Sequence, residues 1–256
     1  MNSQWQSRYE VAIEAARAAG QIAHRYFEGS FEVELKGDQS PVTVADRETE
    51  QLLREALSAK FPEDGLLGEE HGEQTGTSGF RWIIDPIDGT RNFVKGIPLW
   101  GVMVGLEYKD EQIAGVIDFP TMKKTYHAVR GGGAYRNDDR IRVSQTSEIS
   151  ESLVFFSGLH FFAQAGQEAK FMELVRKTSR QRGYGDCYGF ALVAEGAGEV
   201  MIEHGVNSWD VAASKPIIEE AGGTFTNWDG GSSIHKPDVV VTNGIIHQDV
   251  LSIFSS

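Results

Sequence analysis

The sequence predicts an α/β protein that forms one domain over residues 1–256, with two layered halves of about 1–145 and 146–256. Two changes of pattern along the chain support this prediction. Between residues 99 and 143, β-branched residues recur with a period of two between short turns, which is typical of antiparallel strands. From about residue 153 onwards, strand-like and helix-like segments alternate, which is typical of an α/β arrangement.

The first half begins with a helical pattern. Apolar residues recur at helical spacing over 5–28, and Gly29 ends the pattern. A strand over 31–35 and a second helix over 45–60 are expected next. A polar linker over 72–79 leads to an apolar strand that Pro86 should end, because proline donates no hydrogen bond to a neighbouring strand. The antiparallel strands are predicted over 100–108, 112–119, 124–129 and 133–136.

The second half alternates between the two kinds of element. Strands are predicted over 153–157, 181–184, 199–203, 223–228 and 238–242, and helices over 165–178, 187–196, 209–221 and 246–254. We find no internal repeat and no low-complexity segment. The sequence therefore favours one compact unit rather than two linked domains.

Composition limits the possible partners and the compartment. Lys and Arg number 24 against 37 Asp and Glu, a formal charge of −13, which argues against nucleic acid or an anionic membrane as a partner. The only cysteine, Cys187, excludes an internal disulfide and fits a reducing compartment. The first residues are polar, and no run of about 18 apolar residues occurs. We therefore expect a soluble, cytoplasmic protein.

The stretch from Trp82 to Phe93 carries the strongest chemical signal. Asp85 and Asp88 follow an apolar strand three residues apart on a turn, so both carboxylates can converge on one point. Such a pair suits a hard divalent cation, which takes oxygen ligands and then attracts a phosphate group. The alternative is an Asx-turn that ends a strand, with Asp88 and Gly89 serving only the turn.

Further acidic residues end apolar runs or open helices. They are Asp46, Glu69 and Asp210. Together with the pair above they carry a charge of −5, which could not stay ionised in one pocket unaided. Two or three Mg²⁺ ions would balance this charge and leave capacity for a phosphate dianion. Hard oxygen donors, and the lack of any Cys/His spacing typical of zinc sites, favour Mg²⁺.

Three separated motifs resemble the inositol monophosphatase family of Mg²⁺-dependent, lithium-sensitive phosphatases. They are Gly-Glu-Glu at 68–70, Trp-Ile-Ile-Asp-Pro-Ile-Asp-Gly-Thr at 82–90, and Trp-Asp-Val-Ala-Ala at 209–213 followed by Glu-Ala-Gly-Gly at 220–223. They run along essentially the whole chain in the expected order. The resemblance implies an alternating α/β/α/β/α sandwich of the inositol monophosphatase and fructose-1,6-bisphosphatase type, a homodimer, and two to three Mg²⁺ ions per active site.

The resemblance also implies roles for individual residues. The implied metal ligands are Glu69, Asp85, the carbonyl of Ile87, Asp88 and Asp210. The implied catalytic residues are Asp46 and Thr90, which would orient and deprotonate a water molecule, together with Glu69. The backbone N–H groups of Gly89 and Thr90 would bind phosphate, and Lys36 would lie near the third metal. Asp46 could instead be only a helix-opening acid that the helix dipole favours.

Residues around 182–187 point to a branch of this family. Gly185 and Asp186, the following Leu-Val-Ala-Glu-Gly at 192–196, and Arg91 resemble the histidinol-phosphate phosphatases. Asp186 and Glu203 would offer two anions to histidinol, a leaving group that carries an ammonium and an ionisable imidazole. The expected reaction is hydrolysis of L-histidinol phosphate in histidine biosynthesis.

Several alternatives remain open at this stage. The substrate could be inositol-1-phosphate or another small polyol phosphate, and the chain could be a catalytically silent binding module. Asp186 could be only the N-cap of the next helix, and Arg91 only a solvated charge. Tyr184 is more readily explained as a core residue than as one that stacks on a substrate ring.

Overall fold

An eight-stranded sheet dominates the first half of the computed structural model, which describes residues 2–29, 33–35 and 41–254. Its strands are β3 (Gly65–Gly68), β4 (Gly72–Gln74), β5 (Phe80–Asp88), β6 (Gly101–Tyr108), β7 (Glu111–Phe119), β8 (Lys124–Val129), β9 (Gly133–Arg136) and β10 (Asp139–Ile141). The order across the sheet is β10-β9-β8-β7-β6-β5-β3-β4. Neighbouring strands are antiparallel except β3 and β5, which are parallel. A separate pair, β1 (Val33–Leu35) and β2 (Pro41–Thr43), precedes it.

Strand β5 continues past Pro86, so the prediction that proline ends this strand is wrong. Asp85 lies opposite Met103 on β6, whereas Asp88 lies opposite Gly101, so one extra residue bulges from β5. Proline is tolerated in a bulge because the ladder is interrupted there and no N–H is required. The bulge separates the two aspartates along the end of the strand.

Two helices cover one face of this sheet. They are α1 (Ser3–Phe27) and α2 (Val44–Lys60). Alanines recur along the buried face of α1, and their small side chains let this helix lie close to its neighbours. Helix α2 begins with a capping box in which Thr43 and the carboxylate of Asp46 satisfy each other's backbone N–H groups. The capping box fixes the position of Asp46 at the start of the helix.

A five-stranded mixed sheet forms the second half. Its strands are β11 (Leu153–Phe155), β12 (Arg180–Arg182), β13 (Val200–His204), β14 (Thr224–Thr226) and β15 (Asp238–Thr242), in the order β12-β11-β13-β15-β14. The pairs β12–β11 and β11–β13 are parallel, and the other two pairs are antiparallel. The remaining helices are α3 (Thr90–Val94), α4 (Leu159–Gln164), α5 (Glu168–Lys177), α6 (Asp186–Ala194), α7 (Ser208–Val211), α8 (Ser214–Glu220) and α9 (His247–Phe254).

Most predicted elements are present, with changes at their ends. The helix predicted over 165–178 is present as α5, which begins three residues later, and α4 was not predicted; Gly166 separates the two helices in a left-handed conformation with φ of 67°. The helix predicted over 209–221 is divided into α7 and α8. The linker predicted over 72–79 contains β4, and β10 was not predicted.

Helices also fill the space between the two sheets. A single buried apolar cluster joins Ile83 and Ile117 of the first sheet to Met201 of the second through Phe190 of α6 and Ile217 of α8. Helices α4, α5 and α9 contribute to another cluster on the outer face of the second sheet. The layers are therefore helix, sheet, helix, sheet, helix, which confirms the predicted sandwich. In the described residues, no helix combines the length and the apolar character needed to cross a bilayer.

Candidate active site

Three aspartates converge between the two sheets. Carboxylate oxygens of Asp85, Asp88 and Asp210 all lie within 4.8 Å of one another. Asp85 and Asp88 flank the bulge of β5 and are 1% and 7% exposed. Asp210 comes from α7, where its carboxylate accepts a hydrogen bond of 2.6 Å from the backbone N–H of Asn207. One strand and one helix thus bring the three oxygen donors to one point.

The buried negative charge of these three aspartates favours a bound cation. Burial, followed by the neighbouring carboxylates, raises the pKa values of Asp85 and Asp88 well above those of ordinary aspartates. Burial raises the pKa of Asp210 to about 7. Like charges at this separation cannot all stay ionised in a dry pocket. A divalent cation bound by these oxygens would remove the repulsion, so the donor set fits a hard metal ion.

Glu69 lies beside this group but outside its tightest part. It directly follows β3, the strand that pairs in parallel with β5, and its side chain is half-buried. After burial, the charge of Glu69 is the largest cause of the raised pKa of Asp85. Glu69 also makes further polar contacts of its own. The structure therefore places this predicted ligand next to the cluster.

Asp46 has one engaged and one unpaired oxygen. Its Oδ2 accepts hydrogen bonds from the backbone N–H of Thr43, at 2.7 Å, and from the Thr43 hydroxyl, at 2.6 Å. Its Oδ1 is buried and has no hydrogen-bond partner among the described residues. Burial raises the pKa of Asp46 to about 6. The capping role suggested as an alternative is present, but it uses only one of the two oxygens.

Thr90 points to a different partner from the one expected. Its hydroxyl donates a hydrogen bond of 2.9 Å to the carbonyl of Ile87, and no hydrogen bond joins it to Asp46 in the described part of the chain. The Ile87 N–H in turn donates to Oδ1 of Asp85 at 3.0 Å. Gly89 precedes α3 with φ of 84°, a left-handed conformation that glycine adopts without strain.

A second pair of carboxylates, those of Asp186 and Glu203, lies next to Asp88. The backbone N–H of Asp186 donates to Oε1 of Glu203 at 3.2 Å, and the next N–H, of Cys187, donates to Oδ2 of Asp88. Asp186 has φ of 56°, which non-glycine residues seldom adopt but which aspartate tolerates. A Cβ at Gly185 would lie 2.2 Å from Cβ of Ser157, so only glycine allows this close approach.

The interpretation of Asp186 as a helix cap is wrong. Gly185 occupies the N-cap position of α6, Asp186 is the first residue of the helix, and the carboxylates of Glu203 and Asp88 accept the hydrogen bonds of the first N–H groups. Burial raises the pKa of Asp186 to about 6, and the nearby Arg91 acts in the opposite direction. Burial also raises the pKa of Glu203 to about 8, and the charge of Asp186 adds to this effect. Arg91 itself is exposed on α3.

The two carboxylate pairs share a narrow cleft of about 80 Å³. Its lining includes Asp88 and Asp210 of the aspartate cluster together with Asp186 and Glu203. The other lining residues were not predicted from the sequence; they are Ser157, Phe161, Phe190, His204, Gly205 and Val206. No motif contains Ser157 or Phe161, and only the fold brings them here.

Other predicted residues lie elsewhere or take no part. Tyr184 is 40% exposed, so the expectation of a core residue is wrong. Cys187 is buried, and burial followed by the Asp88 charge raises the pKa of its thiol well above the usual range. A thiol held neutral in this way is a poor nucleophile. Lys36 lies outside the described residues.

Comparisons with known proteins agree with this geometry. The sequence model of the inositol monophosphatase family matches residues 4–256. A histidinol-phosphatase of Chlorobaculum parvum is 44% identical over 226 residues, which cover 88% of this chain and 87% of the relative. A histidinol-phosphatase of Mycobacterium tuberculosis is 37% identical over 248 residues, covering 94% and 95%. The solved structure of an inositol monophosphatase from Anabaena superposes with a TM-score of 0.87 at 31% identity, covering 98% of this chain and 96% of that one.

Proposed function

Because the chain belongs to the inositol monophosphatase family, we propose that this phosphatase hydrolyses L-histidinol phosphate to L-histidinol and inorganic phosphate, as a step of histidine biosynthesis. The observation that carries the proposal is the pairing of Asp186 and Glu203 in a cleft that also holds Asp88 and Asp210. The names of the two relatives described above support the same substrate.

The acidic cluster would hold the metal of this reaction. Asp85, Asp88 and Asp210 offer carboxylates within 4.8 Å of one another, and Glu69 and the carbonyl of Ile87, which lies between the two aspartates in β5, would complete the set. This donor set consists of oxygen atoms alone and suits two to three Mg²⁺ ions. Bound Mg²⁺ would supply an activated water and neutralise charge on the phosphoryl group.

Residues of the chain would supply the proton acceptor. Oδ1 of Asp46 is buried and lacks a partner among the described residues, so it is available to accept a proton from water. The Thr90 hydroxyl donates to Ile87 here and would turn towards that water when substrate is bound. Gly89 and Thr90 would present backbone N–H groups to the phosphate. Burial raises the pKa of the Cys187 thiol and makes it a poor nucleophile, which supports direct attack by water.

The second carboxylate pair would select the leaving group. Histidinol carries an ammonium and an imidazole, so the two anions of Asp186 and Glu203 in the cleft match its charge. Phe161 and Val206 supply an apolar wall against which a flat ring can pack. Arg91 approaches Asp186 from the surface and would help to keep that carboxylate ionised. A neutral polyol gains nothing from these charges.

Inositol-1-phosphate is the second candidate. Glu203 could accept hydrogen bonds from polyol hydroxyls as well as from an ammonium, and the Anabaena structure is of an inositol monophosphatase. This substrate would make no use of the charge on Asp186. A catalytically silent binding module remains the least supported reading, because all of the acidic residues of the cluster are present.

The remaining proposals concern the compartment, the oligomeric state and the partners of the enzyme. We place it in the cytoplasm as a homodimer that acts on a small phosphorylated substrate. A formal charge of −13 supports the exclusion of nucleic acids and anionic membranes as partners.

The test is the selectivity of the enzyme for its leaving group. We would measure kcat/KM for L-histidinol phosphate and for inositol-1-phosphate at fixed Mg²⁺, in wild type and in Asp186→Ala. We expect wild type to prefer histidinol phosphate, and the variant to lose about tenfold or more of that preference, as for a lost charged hydrogen bond. A preference for inositol phosphate that the substitution leaves unchanged would overturn the proposal.

A matched control separates charge from backbone strain. Asp110 lies in a hairpin turn outside the cleft with φ of 65°, close to the 56° of Asp186. Asp110→Ala therefore introduces a similar left-handed alanine without touching the cleft. We expect it to leave the ratio of the two kcat/KM values unchanged.

A further inference from the structure

Asn92 links the predicted phosphate-binding segment to the carboxylate of Asp186. Its side-chain Nδ2 donates one hydrogen bond of 2.8 Å to the carbonyl of Leu99 and another of 3.2 Å to Oδ2 of Asp186. Asn92 is half-buried on α3, the short helix that begins at Thr90. The amide of Asn92 thus uses both of its donors, and the second hydrogen bond connects Asn92 to a residue 94 positions later in the chain.

The Asp186 carboxylate has few other restraints. Among the described residues, its Oδ1 accepts no hydrogen bond, and Asn92 supplies the only one to Oδ2. Its backbone N–H is already committed to Glu203. A Cβ at Gly89 would lie 3.3 Å from Oδ2, so the carboxylate sits directly against the start of α3. Asn92 therefore supplies the hydrogen bond that orients this carboxylate, and Arg91 adds only a charge nearby.

We propose that Asn92 is a positioning residue for substrate selection, which holds the Asp186 carboxylate with Oδ1 free for a cationic leaving group. This proposal rests on the function proposed above. The Asn92 amide also donates to the carbonyl of Leu99, two residues before β6. The position of the Asp186 carboxylate therefore depends on the sheet that carries Asp85 and Asp88. The phosphoryl group and the leaving group would then be held at a fixed separation.

An asparagine at position 92 suits the neighbouring Asp186 because its side chain is neutral and donates hydrogen bonds. An aspartate would place a second anion against Oδ2 of Asp186 and repel it, although its shape is the same. An alanine would remove both donors and leave the carboxylate to rotate. We expect Asn92→Ala and Asn92→Asp each to lower the preference for histidinol phosphate about tenfold or more.

A double-mutant cycle tests whether Asn92 acts through Asp186. We would measure kcat/KM for L-histidinol phosphate and inositol-1-phosphate in wild type, Asn92→Ala, Asp186→Ala and the double variant. We expect Asn92→Ala to change the ratio of the two values in wild type and to have no further effect once Asp186 is alanine. Equal effects of Asn92→Ala in both backgrounds would overturn the proposal.

The same data separate this inference from the proposed function. The coupling between the two substitutions reports on Asn92, whereas the direction of the wild-type preference reports on the substrate. A role of Asn92 in folding alone would lower both kcat/KM values together and leave their ratio unchanged. Asn137→Asp is the matched control, because Nδ2 of Asn137 donates to the Lys123 carbonyl, at 3.2 Å, and to no carboxylate of the residues that the structure describes. Melting temperatures of all variants would verify that each one is folded.

Discussion

Asp118 is a buried carboxylate outside the acidic cluster, and its surroundings restrain α1. It lies on β7 with 5% exposure, and its Oδ1 accepts a hydrogen bond of 2.8 Å from the Thr125 hydroxyl. Thr125 also accepts a hydrogen bond from Arg17 of α1, at 3.0 Å. Burial raises the pKa of Asp118 to about 6, while Thr125 and then Arg17 act in the opposite direction. The cost of burying the charge therefore exceeds the gain from its partners.

We expect Asp118→Asn to stabilise the protein near pH 7.5. Because the folded-state pKa of about 6 exceeds the ordinary value of 3.8, the folded state binds the proton more tightly than the unfolded state. The wild type should gain stability from this group as the pH falls from about 6 towards 4. The variant should be about 3 kcal/mol more stable at pH 7.5, with this difference shrinking across that window.

Urea denaturation of wild type and variant at a series of pH values measures this difference directly. Asp249→Asn, at an exposed position in the first turn of α9, is the control, and its difference from wild type should not follow the same pH window. A stability difference between Asp118→Asn and wild type that is the same at pH 7.5 and pH 4 would contradict this explanation.

Two glycines let the α7–α8 segment reach the first sheet. Gly105 on β6 and Gly115 on β7 are paired across the two strands. A Cβ at Gly115 would lie 2.0 Å from the carbonyl oxygen of Ala213, and one at Gly105 would lie 2.8 Å from Cβ of Ala212. This contact places Asp210, two residues before Ala212, beside Asp85 and Asp88.

We expect Gly115→Ala to destabilise the protein and to weaken Mg²⁺ binding. The added methyl group must push the α7–α8 segment away from the sheet, a strain of about 1–3 kcal/mol, and Asp210 moves with that segment. Gly183→Ala is the control, because a Cβ there meets no atom within 4 Å. Urea denaturation and calorimetric titration with Mg²⁺ measure both effects. If Gly115→Ala destabilises the protein but binds Mg²⁺ with unchanged affinity, the contact of the α7–α8 segment with the sheet does not set the position of Asp210.

Local pairing explains which elements the sequence could predict. Strands β6 to β9 follow one another across short turns, so a period of two and the turn residues were sufficient. The extension of β5 past Pro86 depends on a bulge opposite β6, which is a contact between strands rather than a local pattern. The left-handed conformation of Asp186 is likewise fixed by its contacts with Glu203 and Asn92.

The same distinction applies to the site. Its acidic residues stand in recognisable motifs, and three of the predicted ligands do converge. Ser157, Phe161 and Asn92 gain their places only when segments far apart in the chain meet at the cleft, so neither spacing nor periodicity could indicate them. The catalytic and ligand roles given to individual residues remain predictions.

At the scale of the whole molecule, the fold gathers negative charge from several separate elements in one place. Asp46 opens α2, Glu69 follows β3, Asp85 and Asp88 lie on β5, and Asp210 lies on α7. Each carboxylate affects the pKa of at least one other, which shows that all five share one field. A chain of charge −13 can attract a phosphate ester here only if cations neutralise this field.

The most direct test of this central claim is phosphate release from L-histidinol phosphate as a function of Mg²⁺, in chelator-treated wild type and in Asp88→Asn. We expect no release without Mg²⁺, saturable release as Mg²⁺ is added, and a loss of about 10³-fold in Asp88→Asn at saturating Mg²⁺, with circular dichroism showing an intact fold. Exposed Asp139→Asn should behave as wild type. Release that persists in excess chelator, or a fully active Asp88→Asn, would contradict the assignment of this cluster as the metal site of a phosphatase.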